Sequence, residues 1–186
     1  MTFDDLWFLA DEAGQRAERA YHDLLDEREP VLETTHHRRV SRRRFRTLAE
    51  RIRDNGAPYG AHTIVYRPSG ALLLCRHEDV GLWVLPGGEA DDDEGFREAA
   101  ERELAEEAGI DARYDGLAIA TRVELRCDDH ATWGVLPIFA AAAETTATTV
   151  SDPDGEISAA EWFTDLPADT RDREDLLAWR SRRGLG

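Results

Sequence analysis

The sequence predicts an α/β protein: a helical N-terminal extension over residues 1–56, then a domain over residues 57–186 that alternates strand-like runs with one strong helix. Three patterns carry this reading. Apolar residues recur at alternating spacings of three and four from Phe3 to Leu24, the mark of a helical seam. Runs rich in β-branched and aliphatic residues, bounded by turn residues, fill 61–76 and 116–143. Between them, residues 94–108 have helical character, preceded by Pro86-Gly87-Gly88 and closed by Gly109.

In the first helix the seam comprises Phe3, Leu6, Ala10, Ala13, Ala17, Ala20 and Leu24. Thr2 is placed to cap it, Asp4 and Asp5 suit its positive end, and Glu29-Pro30 stops it. The seam packs either on the chain's own domain or across a homodimer interface; the spacing fits both. A second helix starts at Ser41, shows Phe45, Leu48, Ala49 and Ile52 on one face, and stops at Asn55-Gly56. Next, Ala61 to Arg67 and Ala71 to Arg76 flank the turn Pro68-Ser69-Gly70 and read as a β-hairpin. Gly116–Leu125 and Thr132–Ala143 read as antiparallel strands around Asp128-Asp129-His130, and Glu161-Trp162-Phe163 ends a short run after the loop 151–155. A short Arg- and Asp-rich helix closes the chain from about residue 166.

No run approaches the roughly 20 apolar residues of a membrane-spanning helix, and the acidic start lacks the features of a signal peptide. A soluble, cytoplasmic protein with no membrane partner is expected. Its 39 acidic residues outnumber 23 basic ones, a net charge of −16, and every basic residue is Arg. Such a Lys-free acidic surface suits a salty cytoplasm, where ions screen self-repulsion; an Arg-biased genome is the blander source. Cys75 and Cys127 sit in apolar runs and read as buried free thiols. The dense basic stretch from His36 to Arg46 suits either phosphate or RNA binding, or neutralisation of nearby acidic surface; the acidic composition favours the second.

The chemistry concentrates in Leu85-Pro86-Gly87-Gly88-Glu89, Glu94 and residues 102–110. Pro86-Gly87-Gly88 forces a turn with exposed backbone, and Asp91 to Glu94 lie at the start of the following helix, where negative charge is favoured. On that helix Glu103 and Glu107 are four residues apart and share a face, which Glu106 borders. Like charges so placed cost a few tenths of a kcal/mol per pair. A structural helix gains little from them, whereas a hard cation such as Mg²⁺ or Mn²⁺ needs clustered oxygen ligands. Phe96, Ala99, Ala100 and Leu104 form the apolar side.

This spacing resembles the Nudix box, G-x5-E-x7-R-E-U-x-E-E-x-G-U with U aliphatic. Gly88, Glu94, Arg102, Glu103, Leu104, Glu106, Glu107, Gly109 and Ile110 meet its fixed positions. The likeness covers about residues 57–165, and the segment before it is similar only faintly to helical extensions of some bacterial members. Resemblance to the Nudix hydrolases implies an α/β/α sandwich around a mixed β-sheet, preceded here by the helical extension, and magnesium- or manganese-dependent cleavage of a diphosphate linkage. It further implies a metal held by Glu103, Glu106 and Glu107 with the Gly87 carbonyl, an Arg102 that orients Glu103, and a structural Glu94. The base that takes the water's proton varies in this family; Glu106, Asp154 and Glu156 are the candidates.

Substrate choice is less legible. A nucleotide-like small molecule is expected, either a nucleoside diphosphate linked to another group or a nucleoside triphosphate, with Arg76, Trp83 and Tyr66 as candidate substrate contacts. Trp133 and Phe139 are further stacking candidates. Pyrophosphate removal from RNA 5′ ends is an alternative use of the Arg38–Arg46 patch, although nucleic acid is not the favoured partner. A noncatalytic nucleotide sensor is another alternative, which the complete box disfavours. The charge of −16 predicts that the midpoint of thermal unfolding rises with KCl concentration; a flat curve would contradict adaptation to high salt.

Overall fold

The apolar seam of the N-terminal segment forms one long helix whose buried stripe lies against its own chain. The computed structural model describes residues 5–27, 29–91 and 93–185; Thr2, Phe3, Asp4 and Asp92, to which roles were assigned above, lie outside the described residues. In chain order the elements are α1 (Asp5–Glu27), β1 (Leu32–Arg39), α2 (Arg42–Asn55), β2 (Ala61–Tyr66), β3 (Leu72–His77), β4 (Leu82–Val84), β5 (Gly87–Gly88), α3 (Phe96–Ala108), β6 (Ala112–Cys127), β7 (His130–Ala143), β8 (Ile157–Phe163) and α4 (Arg173–Arg182). No helix among the described residues is long and apolar enough to cross a membrane.

The strands build one mixed sheet in the order β1-β6-β7-β2-β3-β4, with β5 paired to β2 and β8 to β3. β6 and β7 form a long antiparallel hairpin around Asp128-Asp129, while β1 joins β6 and β2 joins β7 in parallel. The strands β2 and β3 meet only at Tyr66 and Leu72, next to the turn. Beyond that pair they part, because β2 turns to β7 and β5, and β3 to β4 and β8. The hairpin read from the sequence thus exists at its tip alone.

Alternation along the strands makes the sheet two-sided. Leu72 and Leu74 pack on one face with Phe45, Leu48 and Ile52 of α2 and Leu176 and Trp179 of α4. Leu73 and Cys75 face the other side, with Leu104 and Ala108 of α3. The result is an α/β/α arrangement with a mixed sheet, as expected. Cys75 and Cys127 are free and buried.

Residues 1–56 are not wholly helical. β1 is a strand of polar residues, Leu-Glu-Thr-Thr-His-His-Arg-Arg, in which only Leu32 is buried. No apolar alternation marks it, because it is the edge strand and gains its stability from the backbone ladder with β6. α2 matches its sequence signals: the Ser41 hydroxyl accepts from the Arg44 amide, and Gly56 closes the helix at φ 97°, where a side chain would be strained. The seam residues Leu6, Ala10, Ala13 and Ala17 are buried in the main core with Phe45, Leu48, Ala49 and Ile52. The Thr132 hydroxyl fastens the same helix to β7 by donating to the Ala10 carbonyl at 2.8 Å. The seam is therefore covered within the chain, while Trp7 and Phe8 stay exposed, at 57% and 48%.

Phe45 is fully buried in the central core. Phe45→Ala is expected to lower stability by about 3–5 kcal/mol, measured by denaturant unfolding in concentrated KCl. A loss below about 1 kcal/mol would show that α2 is not part of the folding core.

Candidate active site

The loop before α3 turns sharply because Gly87, at φ 150°, lies tight against β2. A Cβ on Gly87 would meet the Ala61 carbonyl at 2.4 Å and the His62 Cα at 2.6 Å, so only glycine fits. This approach brings the Gly87 amide to the carboxylate of Glu107 one helix away, at 2.9 Å. α3 begins at Gly95, whose amide is capped by the Glu98 carboxylate at 3.0 Å, and ends at Gly109 with φ 61°. The box therefore folds as loop, helix and loop, with its apolar residues Ala99, Ala100 and Leu104 buried beneath the acidic face.

Arg102 organises that face. Its guanidinium grips Glu94 through two hydrogen bonds, at 3.1 and 3.0 Å. The same group donates to Glu103 at 2.8 Å, to Glu106 at 3.4 Å and to the Glu89 carbonyl at 2.9 Å. Arg102 holds Glu94 below the usual carboxylate range, principally by hydrogen bonding. Glu94 in turn accepts from the Asp91 amide at 2.9 Å, which pins the loop to the helix. Arg102 thus touches Glu94, Glu103 and Glu106, and Glu94 links it to the loop.

Glu107 is in a different position. It is 8% exposed and accepts a hydrogen bond from the Gly87 amide. Burial pushes its pKa up to about 8 against that hydrogen bond, and the charges of Glu103, Asp152 and Glu156 push it further. Glu103 is also raised, first by burial, with Arg102 opposing. Buried carboxylates that repel one another fit a hard divalent cation, which would offset both burial and repulsion. Among the described residues no three acidic, histidine or cysteine side chains yet converge on one point. Arg102, not an open ligand position, takes an oxygen of Glu103 and one of Glu106.

These groups open into a cleft of about 710 Å³. Gly87, Glu103 and Glu107 line one part of it, and the loop before β8 brings in Asp152, Asp154 and Glu156. Asp152 accepts backbone N–H bonds from Asp154, Glu156 and Ile157 at 3.0, 2.7 and 2.8 Å. Burial raises its pKa, but those three bonds together hold it below the ordinary value. Glu156 lies 3.2 Å from His77 Nε2. Of the three proton-acceptor candidates, Asp154 and Glu156 line the cleft and Glu106 does not.

The candidate substrate contacts lie elsewhere. Tyr66 is buried beside Trp179, donates its hydroxyl to Asp115 and accepts from Arg183 at 3.2 Å. Arg76 pairs with Asp169 at 2.7 Å, and Trp83 stacks edge-on against Phe163 with centroids 4.8 Å apart. Trp133 lies under the Arg122 guanidinium, and Phe139 meets Tyr114. None of the five lines the cleft; they support the sheet and its edges. The cleft uses Tyr59, His62, Arg44, Arg51 and Arg171 instead. No local motif marks these residues, which reach the cleft from α2, the turn after it, β2 and the loop before α4. His62 is neutral at ordinary pH: burial and the nearby Arg171 push its pKa down to about 4. Its Nδ1 atom is buried without a hydrogen-bond partner among the described residues. In the basic stretch, His36 contacts Asp175 at 2.7 Å and Asp172 at 3.7 Å, and His37 contacts Glu124 at 3.0 Å.

The NUDIX domain model matches residues 57–180. A putative 8-oxo-dGTP diphosphatase of Bacillus subtilis is 37% identical over 90 residues, which are 48% of this chain and 60% of that protein. The chain thus spans about three fifths of that relative's length. A MutT NUDIX hydrolase from Burkholderia pseudomallei aligns with TM-score 0.48 and 28% identity, over 63% of this chain and 94% of that one. A MutT protein from Methanosarcina mazei Go1 aligns with TM-score 0.49 and 22% identity, over 68% and 94%.

Replacing Arg102 by Gln leaves Glu94 and Glu103, both largely buried, without their cation. Arg102→Gln is expected to cost about 1–3 kcal/mol in denaturant unfolding. An unchanged midpoint would show that the hub does not hold the box together.

Proposed function

Because the chain belongs to the NUDIX family, we propose that it hydrolyses a diphosphate linkage in a nucleotide, either a nucleoside triphosphate or a nucleoside diphosphate joined to another group. Members of this family generally use divalent metal ions, and Mg²⁺ or Mn²⁺ is the cofactor this reading assigns. The observation that carries it is Glu107, a buried carboxylate set beside other carboxylates in an open cleft, with a backbone amide in place of a cation. A cation placed there would offset the burial and the neighbouring charges that push this carboxyl's pKa up to about 8.

In this reading Glu103, Glu106, Glu107 and the Gly87 carbonyl hold the metal. Bound there, a divalent cation supplies charge neutralisation of the diphosphate and a more acidic water. The chain's own groups do the rest. Arg102 keeps Glu103 and Glu106 on one side of α3 and lends positive charge beside the scissile linkage. Glu156 is the proton acceptor we favour, because it lines the cleft and His77 fixes its carboxylate. Water would then attack phosphorus in line as the bridging oxygen departs. Residues 1–56 act as an extension that completes the core and one side of the cleft.

Glu107→Gln tests the assignment. An amide in this buried position removes the desolvation of a charge, so the fold is retained. Metal-dependent turnover is expected to fall more than about a hundredfold, beyond what loss of an outer-shell partner costs. The assay would measure phosphate or nucleotide release with Mg²⁺ in concentrated KCl. Its substrates would be nucleoside triphosphates, oxidised dGTP of the kind named for the Bacillus subtilis relative, ADP-ribose, nucleoside diphosphate sugars and capped RNA. Undiminished turnover in the variant would remove the assignment.

A further inference from the structure

The apolar seam of α1 is used up inside the chain, and the opposite face of the helix remains open. On that face Trp7 is 57% exposed, the most exposed large apolar side chain among the described residues. Phe8 braces its ring edge-on, with centroids 5.2 Å apart and the planes at 87°. An indole left in water loses the apolar burial that favours it elsewhere in the fold. No residue of α1 lines the catalytic cleft, so the hydrolytic chemistry gives this ring no use.

Further along the same helix an open groove of about 580 Å³ runs between α1 and β7. Asp11, Gly14, Gln15 and Glu18 form its α1 side. Their spacing is i, i+3, i+4 and i+7, the four-residue hole that a side chain of a packed helix enters. Trp7 stands four residues before Asp11 and seven before Gly14, so the ring and the hole share one face. The β7 side of the groove, with Thr132 and Trp133, is firmly held. The Thr132 hydroxyl donates to the Ala10 carbonyl at 2.8 Å; the Trp133 ring lies 3.7 Å from the Arg122 guanidinium and meets Tyr21 edge-on at 5.9 Å. The hole is open because residue 14 is glycine, and the chain's own packing does not require one. A Cβ on Gly14 would meet the Thr132 hydroxyl oxygen at 3.7 Å, an ordinary contact, and a helix interior is more stable with alanine.

We propose that the outward face of α1 is a contact between two copies of this chain, with the helices antiparallel about a twofold axis and Trp7 of each copy seated in the Gly14 groove of the other. The proposal is independent of the hydrolase reading. A twofold axis uses one patch on both copies, so the patch must complement itself. A ring and a hole on one helix face meet that condition: an axis between them that brings Trp7 of one copy to Gly14 of the second also brings Trp7 of the second to Gly14 of the first. Charge sets the conditions. Two copies of net charge −16 repel, and Asp11 and Glu18 add to this at the rim of the groove, so salt strengthens the pairing. A basic segment of another protein would instead bind best at low salt. The strip from Trp7 to Glu18 is roughly 17 Å long and about 10 Å wide. A contact of that size falls short of the roughly 1,200 Å² at which lasting complexes begin, so the dimer is reversible.

The test is analytical ultracentrifugation of the full-length protein over a range of protein concentrations, in dilute and in concentrated KCl. The wild type is expected to show a monomer–dimer equilibrium that tightens as KCl rises. Trp7→Ala is expected to weaken the dimer at least about tenfold while leaving the thermal midpoint of the monomer unchanged. Gly14→Ala is expected to raise that midpoint and still weaken the dimer at least about threefold, two opposite signs that a purely structural role for residue 14 would not give. A mixture of the two variants is expected to form a heterodimer tighter than either variant's own dimer, because one ring and one open hole are then paired. A wild type that stays monomeric at every concentration and salt would overturn the proposal. So would a dimer that neither substitution weakens, or one that loosens as KCl rises.

Discussion

The acidic face of α3 can exist only because Arg102 holds it. Glu94, Glu103 and Glu106 all accept from this one guanidinium, and Glu89 is tied to it through its carbonyl. Without such a hub, the repulsion among carboxylates would bend their side chains outward into water. The hub uses the planar fork of Arg, which reaches several acceptors at once, and a lysine ammonium would not replace it. It also ties the helix to the preceding loop, since Glu94 bonds both Arg102 and the Asp91 amide.

Glu107 stands apart from that hub, and the difference organises the cleft. Where Glu94 is compensated by a cation and held below the carboxylate range, Glu107 is buried and pushed to about 8. Two carboxylates, one in the loop before α3 and one on the helix, are thus driven apart by their surroundings. One stabilises the fold, and the other retains an unmet need for positive charge that a divalent ion would satisfy. The Gly87 turn fixes the place of Glu107, because its close approach to β2 leaves the Gly87 amide donating to that carboxylate at 2.9 Å.

Local chemistry was readable from the sequence wherever it was carried by spacing. The box residues, the Ser41 and Gly56 caps of α2 and the β6–β7 hairpin each follow from a pattern of a few neighbouring residues. β1 was not readable, because a polar edge strand such as Thr34 to Arg39 has no apolar period and depends on its partner β6. Nor were the residues of the cleft wall: Arg44, His62 and Arg171 line one cleft only after the sheet has formed. Tyr66 and Trp83 have the chemistry of a base-stacking platform, and in the fold their rings meet Trp179 and Phe163 outside the cleft lining. The basic stretch shows a divided outcome, with Arg38 neutralising Asp172 while Arg44 lines the cleft.

The central claim is that the buried acidic cluster is a divalent-metal site. Anomalous diffraction from crystals soaked in Mn²⁺ tests it most directly. The account predicts a peak within coordination distance of the Glu103 and Glu107 carboxylates, with Glu103 turned away from Arg102 to reach it. A strong peak elsewhere in the cleft, or none while Arg102 keeps its grip on Glu103, would contradict it.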